Sequence, residues 1–254
     1  MLMRILAVGL LAGLVSGVLV ALLQTVTTTP IIIEAEVYEN GGGHETHDHG
    51  GEAALQSGLL HYAVASAEKA ELIFVHAGED HGAGDVWAPE DGLPRTLYTS
   101  IATVGTAIGF AMILLAGMLF AGDTITESRA MAWAAAGFVA TGLAPAVGLS
   151  PEVPGMAAAE LSSRQAWWFA TATCTAAALW LILRGSNNWY RLLGVAILVA
   201  PHVWGAPHLT EHPASSVPAH LAAQFASTSL AVHAVLWLLT GFFVGFWWKR
   251  IGQS

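Results

Sequence analysis

The stretch "ILAVGLLAGLVSGVLVALLQTV", residues 5–26, runs for 22 residues without one charged side chain. A bilayer's hydrocarbon core is about 30 Å thick and takes about 20 helical residues to cross. This run is long enough by itself, and the pattern recurs. Further apolar runs lie at about 97–120, 131–149, 166–183, 192–207 and 221–248. The run at 192–207, "LLGVAILVAPHVWGAP", is the shortest, and its Pro201 lacks the N–H that a continuous helix uses, so a kink or an end is expected there. The expected architecture is all-α: a polytopic integral membrane helix bundle of about six spans, one short or broken. It divides into a first span at 5–29, a loop at 30–95 and a bundle of about five spans over 96–254. Arg4 before the first run would suit a secretory signal, but the run exceeds the usual signal length and no A-x-A site follows, so a retained span is expected.

Composition agrees. Hydrophobic residues make up 55% of the chain and charged residues 11%, where a soluble domain carries about a quarter charged. The net charge of −9 argues against nucleic acid, which needs a basic face. The single cysteine, Cys174, excludes an intrachain disulfide and a CxxC-type metal site, and its apolar surroundings mark it as a packing residue.

Lys and Arg in the short connections set the orientation. With a cytoplasmic N-terminus, six of them (Arg4, Arg129, Arg184, Arg191, Lys249 and Arg250) fall inside and three (Lys69, Arg95 and Arg164) outside. Both termini are therefore expected in the cytoplasm. The pairs Trp167–Trp168 and Trp247–Trp248, at span ends, read as interfacial anchors.

On that map the loop at 30–95 is extracytoplasmic, and it holds thirteen of the eighteen carboxylates with six of the eleven histidines. Its densest part is "GGGHETHDHGGE", 41–52, where His44, His47 and His49 alternate with Glu45 and Asp48 between glycines. Neutral imidazole suits nickel, cobalt, copper and zinc, and carboxylates add charge and affinity. A flexible tract would collect divalent ions with little selectivity. The plain alternative is a solubilising loop. Residues 59–82 have the pattern of a short amphipathic surface helix, after which His76, Glu79, Asp80 and His81 form a second candidate cluster. Beyond it, His208, Glu211, His212 and His220 precede the last span.

Ionisable groups at membrane depth default to functional candidates. Here they are His233, about a third of the way into the last span, and His202, which follows Pro201. If the last two spans pack as an antiparallel pair, His202, His208, His220 and His233 converge. A neutral, hydrogen-bonded His233 is the structural alternative. No Walker motif, HExxH or nucleophile elbow occurs, and no general base stands near the histidines.

Four stretches carry a resemblance: "VWAPEDGLPRTLYT" (86–99), "APAVGLSPEVPGMAAAELSSRQAWW" (144–168), "APHVWGAPH" (200–208) and "VPAHLAAQFASTSLAVHAVLWLLTGFFVGFWWKR" (217–250). The Pro-Glu-x-Pro-Gly turn, the Arg-Gln-x-Trp-Trp opening of the fourth run and the Pro-His-x-x-Gly-Ala-Pro element are the specific parts. Over nearly its whole length the chain resembles the CbtA family of cobalt transporter subunits. The resemblance implies a bacterial cell inner-membrane location, cobalt uptake serving cobalamin synthesis, and a small single-span partner, CbtB, with a histidine-rich end. It also implies five spans, one fewer than the apolar runs. It points to Glu152, a ligand or a helix cap, and to Arg164, both on the outer side, and to His202; Arg164 and Gln165 could instead anchor the fourth span at the headgroups.

The expected function is that of a membrane subunit that captures cobalt, or nickel or another divalent ion, and passes it inward. The candidate metal residues are His44, His47, His49, His76, His81, Glu152, His202, His208, His220 and His233. The alternatives are a non-conducting metal-binding or assembly subunit for another transporter, and an integral-membrane metalloenzyme.

Overall fold

A computed structural model describes residues 1–41, 89–90, 92–209 and 215–252. These residues are helical with no strand. The helices are α1 (Leu2–Val26), α2 (Thr28–Gly41), α3 (Leu93–Phe120), α4 (Glu127–Phe138), a π-helical turn (Val139–Leu143), α5 (Ala144–Gly148), α6 (Leu161–Arg184), α7 (Asn188–Trp204) and α8 (Ala219–Ile251). The expected surface helix at 59–82 and all of the histidine tract beyond Gly41 lie outside the described residues.

Five helical segments are long and apolar enough to cross a membrane: Leu2–Val26, Leu93–Phe120, Glu127–Gly148, Leu161–Arg184 and Ala219–Ile251. Large apolar side chains such as Leu22, Ile101, Ile113 and Leu183 are exposed on their outer faces, as lipid contact requires. The run around Pro201 forms α7, 17 residues long, or about 25 Å at 1.5 Å per residue. Pro201 does not end it. The helix continues one turn to Trp204 and stops at Gly205, whose φ of 90° is open to glycine. The Gly205 N–H there reaches back to the Pro201 carbonyl at 3.1 Å.

Glycine faces let the backbones meet. On α1, Gly9, Gly13 and Gly17 lie against Met112, Ile108 and Val104 of the antiparallel α3. A Cβ on Gly13 would sit 2.3 Å from the Ile108 Cα. On α8, Gly245 and Gly241 lie equally close to Glu127 and Ala130 of α4. Lipid tails are as apolar as leucine, so such close packing, with a few polar contacts, is what holds membrane helices together. One such contact joins α1 to α8: the hydroxyls of Ser16 and Thr240, both fully buried, lie 3.2 Å apart. Val8, Leu115, Met118, Trp237 and Val244 fill the core between these helices.

The chain's two ends meet. The Arg4 guanidinium donates to the Trp248 carbonyl and lies 4.1 Å over the Trp248 ring, capping the last turn of α8. At this same terminal end, Asp123 accepts from the Trp133 indole at 2.8 Å, from Arg184 at 2.9 Å and from Arg129 at 3.2 Å. The Trp133 hydrogen bond, and then Arg184, hold the Asp123 carboxyl below its ordinary value.

Two expectations are corrected. First, α7 packs along α6, not α8. Gly194 of α7 admits the Ala178 carbonyl and Ile182, and the Trp167 indole donates to the Pro201 carbonyl at 3.3 Å. The antiparallel pairing of the last two helices, which the short connection suggested, therefore does not form. Second, Trp167 is buried rather than interfacial, whereas Trp247 and Trp248 are half-buried at the end of α8. Among the described residues the most exposed tryptophans are Trp189 at 79% and Trp204 at 89%, one at each end of α7.

The loop expected to start at residue 30 begins as helix. α2 continues past a break at Thr27, and its Glu36 pairs with Arg95 of α3. Ile31 and Ala35 pack against Val153, Val217 and Leu221, which ties α2 to the opposite, loop end of the bundle.

The glycine contacts predict that Gly13→Val costs about 1–3 kcal/mol, as overpacking does, and lowers the melting temperature of the detergent-solubilised chain. Gly105→Val, where an added Cβ meets nothing within 4 Å, leaves it unchanged. Fluorescence-detected thermal unfolding compares the two.

Candidate functional site at the loop end

The third spanning segment is not regular. Pro145 supplies no N–H and its ring crowds the carbonyl of Thr141, one turn back. The chain answers with the π-helical turn Val139–Leu143, of a kind that clusters at functional sites. Gly142 in that turn brings the backbone against His233 of α8: a Cβ there would lie 2.7 Å from the imidazole Cδ2.

After α5 the chain crosses the loop end through Pro151, Glu152, Val153, Pro154 and Gly155. Val153 is buried, and the Met156 N–H turns back to its carbonyl at 3.3 Å. Two prolines restrict the backbone around Glu152. Its carboxylate accepts from the Arg164 guanidinium in the first turn of α6. Glu160 starts that helix. Its carboxylate accepts the Ser162 and Ser163 N–H groups at 2.9 Å each, and both serine hydroxyls at 2.7 Å. These bonds, the Ser162 hydroxyl foremost, hold the Glu160 carboxyl at about 2 instead of the usual 4.5.

Two adjoining cavities open here. The outer one, about 450 Å³, is lined by Glu152, Arg164, His208, Ser150 and the small residues Ala222, Ala223 and Ala226 of α8. The inner one, about 470 Å³, is lined by Thr141, Gln165, Trp168, Ser229 and His233. Leu149, Ser150, Pro151 and Arg164 line both, and Arg164 is the charged residue they share.

His233 lies 14 residues into α8, about 21 Å from its start. The Trp237 indole donates to its Nε2 at 3.1 Å and to the Thr141 hydroxyl at 3.0 Å. The Thr141 hydroxyl is itself 3.1 Å from Nε2. The Thr141 hydroxyl donates to the Gly137 carbonyl at 2.9 Å, so its oxygen can accept from either ring. Trp237 and Thr141 together enclose Nε2, which leaves Nδ1 as the ring nitrogen for a metal.

The structure separates the other candidates. Glu152 and His208 line the outer cavity together, and the His208 Nδ1 is 3.1 Å from the Ala206 carbonyl. His202 stands edge-on to Trp167, ring centres 6.0 Å apart, and lines neither cavity. His220 is exposed and lines neither. The four-histidine convergence is not formed, and no three His, Cys, Asp or Glu residues gather around a possible metal position among the described residues. His44, His47, His49, His76 and His81 lie outside the described residues. Cys174 is half-buried on α6, as a packing residue would be. Arg164, to which the family resemblance pointed, lines both cavities. One site residue escaped the sequence reading: Thr141, which meets His233. A proline four residues after a threonine was the available signal.

A family model described as "Probable cobalt transporter subunit (CbtA)" matches residues 2–249. No curated protein and no solved structure matches the chain.

The depressed Glu160 carboxyl fixes a pH dependence. A group whose folded value lies below its unfolded value contributes stability above the unfolded value and loses it as pH falls through the folded one. The contribution is complete above about 4.5 and lost towards about 2. Glu160→Gln is expected to flatten the acid limb of the melting-temperature profile in that window and to leave the neutral limb parallel to wild type, as scanning calorimetry in detergent would record.

Proposed function

The chain belongs to the CbtA family of probable cobalt transporter subunits, and from that premise we propose that it captures the ion at the loop end, facing the extracytoplasmic side of the cell inner membrane, and passes it inward for cobalamin synthesis. The observation that carries this reading is the pair of adjoining cavities, one lined by Glu152 and His208, the next reaching His233 inside the bundle. Cobalt accepts octahedral nitrogen and oxygen ligands, which suits one imidazole and one carboxylate with the remaining positions held by water. His44, His47, His49, His76 and His81 would raise the local ion concentration above this mouth, since α2 leads the chain towards it. His202 and His220 stand beside it as further capture residues. The membrane potential favours inward passage by about 4.6 kcal/mol per divalent ion at 100 mV.

We read α7 as a sixth, short crossing. Five crossings would leave the termini on opposite sides, yet Arg4 meets Trp248 at one end of the bundle. α7 also runs back along the full-length α6, and its two exposed tryptophans stand about 22 Å apart along the axis, as interface anchors would. Both termini are then cytoplasmic.

A second reading also has an observation in its favour. Beyond His233, Phe110 and Trp237 stack with ring centres 4.5 Å apart, and the packed core follows. A subunit that binds the metal and hands it to a partner, conducting nothing alone, would have this filled interior. The partner in either case is a small single-span, histidine-rich CbtB-like chain.

Radiolabelled cobalt uptake into proteoliposomes decides between them. Uptake by the chain alone, lowered severalfold in Glu152→Gln and His208→Ala, supports conduction. Uptake that needs the partner supports the handing-on role. Absence of both uptake and cobalt binding refutes the metal reading. In a Cys174→Ala background, Ser186→Cys and Ser216→Cys should be labelled from opposite sides by an impermeant maleimide. Labelling from one side would remove the sixth crossing.

A further inference from the structure

We propose that Arg164 is a tethered counter-ion that holds Glu152 while the site is empty and is displaced when a divalent ion arrives. This rests on the metal reading above and adds to it a competitor built into the chain. The Glu152 carboxylate, the one acid among the described residues lining the outer cavity, is already engaged by the guanidinium. A divalent ion and a guanidinium cannot share one carboxylate at contact without strong repulsion. Arg164 bonds Oε2, and an ion arriving at Oε1 would repel the guanidinium.

Two observations make Arg164 the group that moves. Its side chain is only partly buried, 26% exposed, and it lines both cavities, so space lies on either side of it. Its Nε is buried and has no hydrogen-bond partner where it stands. An unsatisfied buried donor disfavours the pose it sits in, which lowers the cost of leaving. Glu152, by contrast, has its backbone held between Pro151 and Pro154. Swinging away from Glu152 moves a positive charge along the wall common to the two cavities. The same residue that yields the outer site thus guards the way to His233 and sets how readily an ion is released again.

The test uses cobalt chloride titrated calorimetrically into the purified full chain in nanodiscs. Arg164→Gln is expected to bind cobalt about tenfold more tightly than wild type, because the competitor is gone. Arg164→Lys, which keeps the charge, should stay near wild type. In the Glu152→Gln background, adding Arg164→Gln should change nothing, since the two residues act through one another. Melting temperatures of all variants establish that they are folded. A folded Arg164→Gln chain that binds cobalt no tighter than wild type overturns this proposal and leaves the metal reading standing. A wild-type chain that binds no cobalt overturns both.

Discussion

Lipid offers apolar side chains as good a home as a protein interior does, so burying leucines gains these helices little. They associate instead where side chains are missing. Gly9, Gly13 and Gly17 let α1 lie against α3 backbone to backbone, and Gly241 and Gly245 do the same for α8 on α4. Contact at that range brings many weak attractions into play at once. It also places Ser16 opposite Thr240, a hydroxyl pair that has no water to turn to. Those four helices form the most closely packed part of the described structure.

The remaining pair, α6 and α7, is joined to it differently. At the terminal end Asp123 gathers Arg184, Arg129 and Trp133. At the loop end the attachment runs through the proline-bounded turn around Glu152, the Arg164 ion pair and the Trp167 ring against Gly148. The cavities open where the four-helix part meets this pair. The π turn belongs to the same arrangement, since it brings Gly142 to the imidazole and Thr141 to its Nε2. A bundle packed with glycine throughout would have left no room for a hydrated ion at this end.

Much of this was legible from residues in order. Hydropathy is a local property, so each spanning helix coincides with an apolar run to within a few residues, Leu221–Trp248 lying inside Ala219–Ile251 for example. Pro201 misled because a proline near a helix end removes one bond without preventing a further turn, and Gly205 supplied the actual stop. The tryptophans misled because pairing in sequence says nothing of which face a ring occupies: Trp167 turns inward to the Pro201 carbonyl while Trp189 and Trp204 stand exposed. α7 lies only three residues from α6 and fourteen from α8, and it packs on α6, where Gly194 seats the Ala178 carbonyl.

The amino-acid sequence by itself determined the all-helical class, the existence of membrane-crossing segments and the family, for these depend on composition and short motifs read along the chain. Only the tertiary structure decided which polar groups meet. Whether His233 faces a metal or a tryptophan, and whether Arg164 reaches lipid headgroups or Glu152, depends on the rotation of each helix about its axis. That rotation is settled by glycine contacts between segments far apart in sequence, and no local pattern records it.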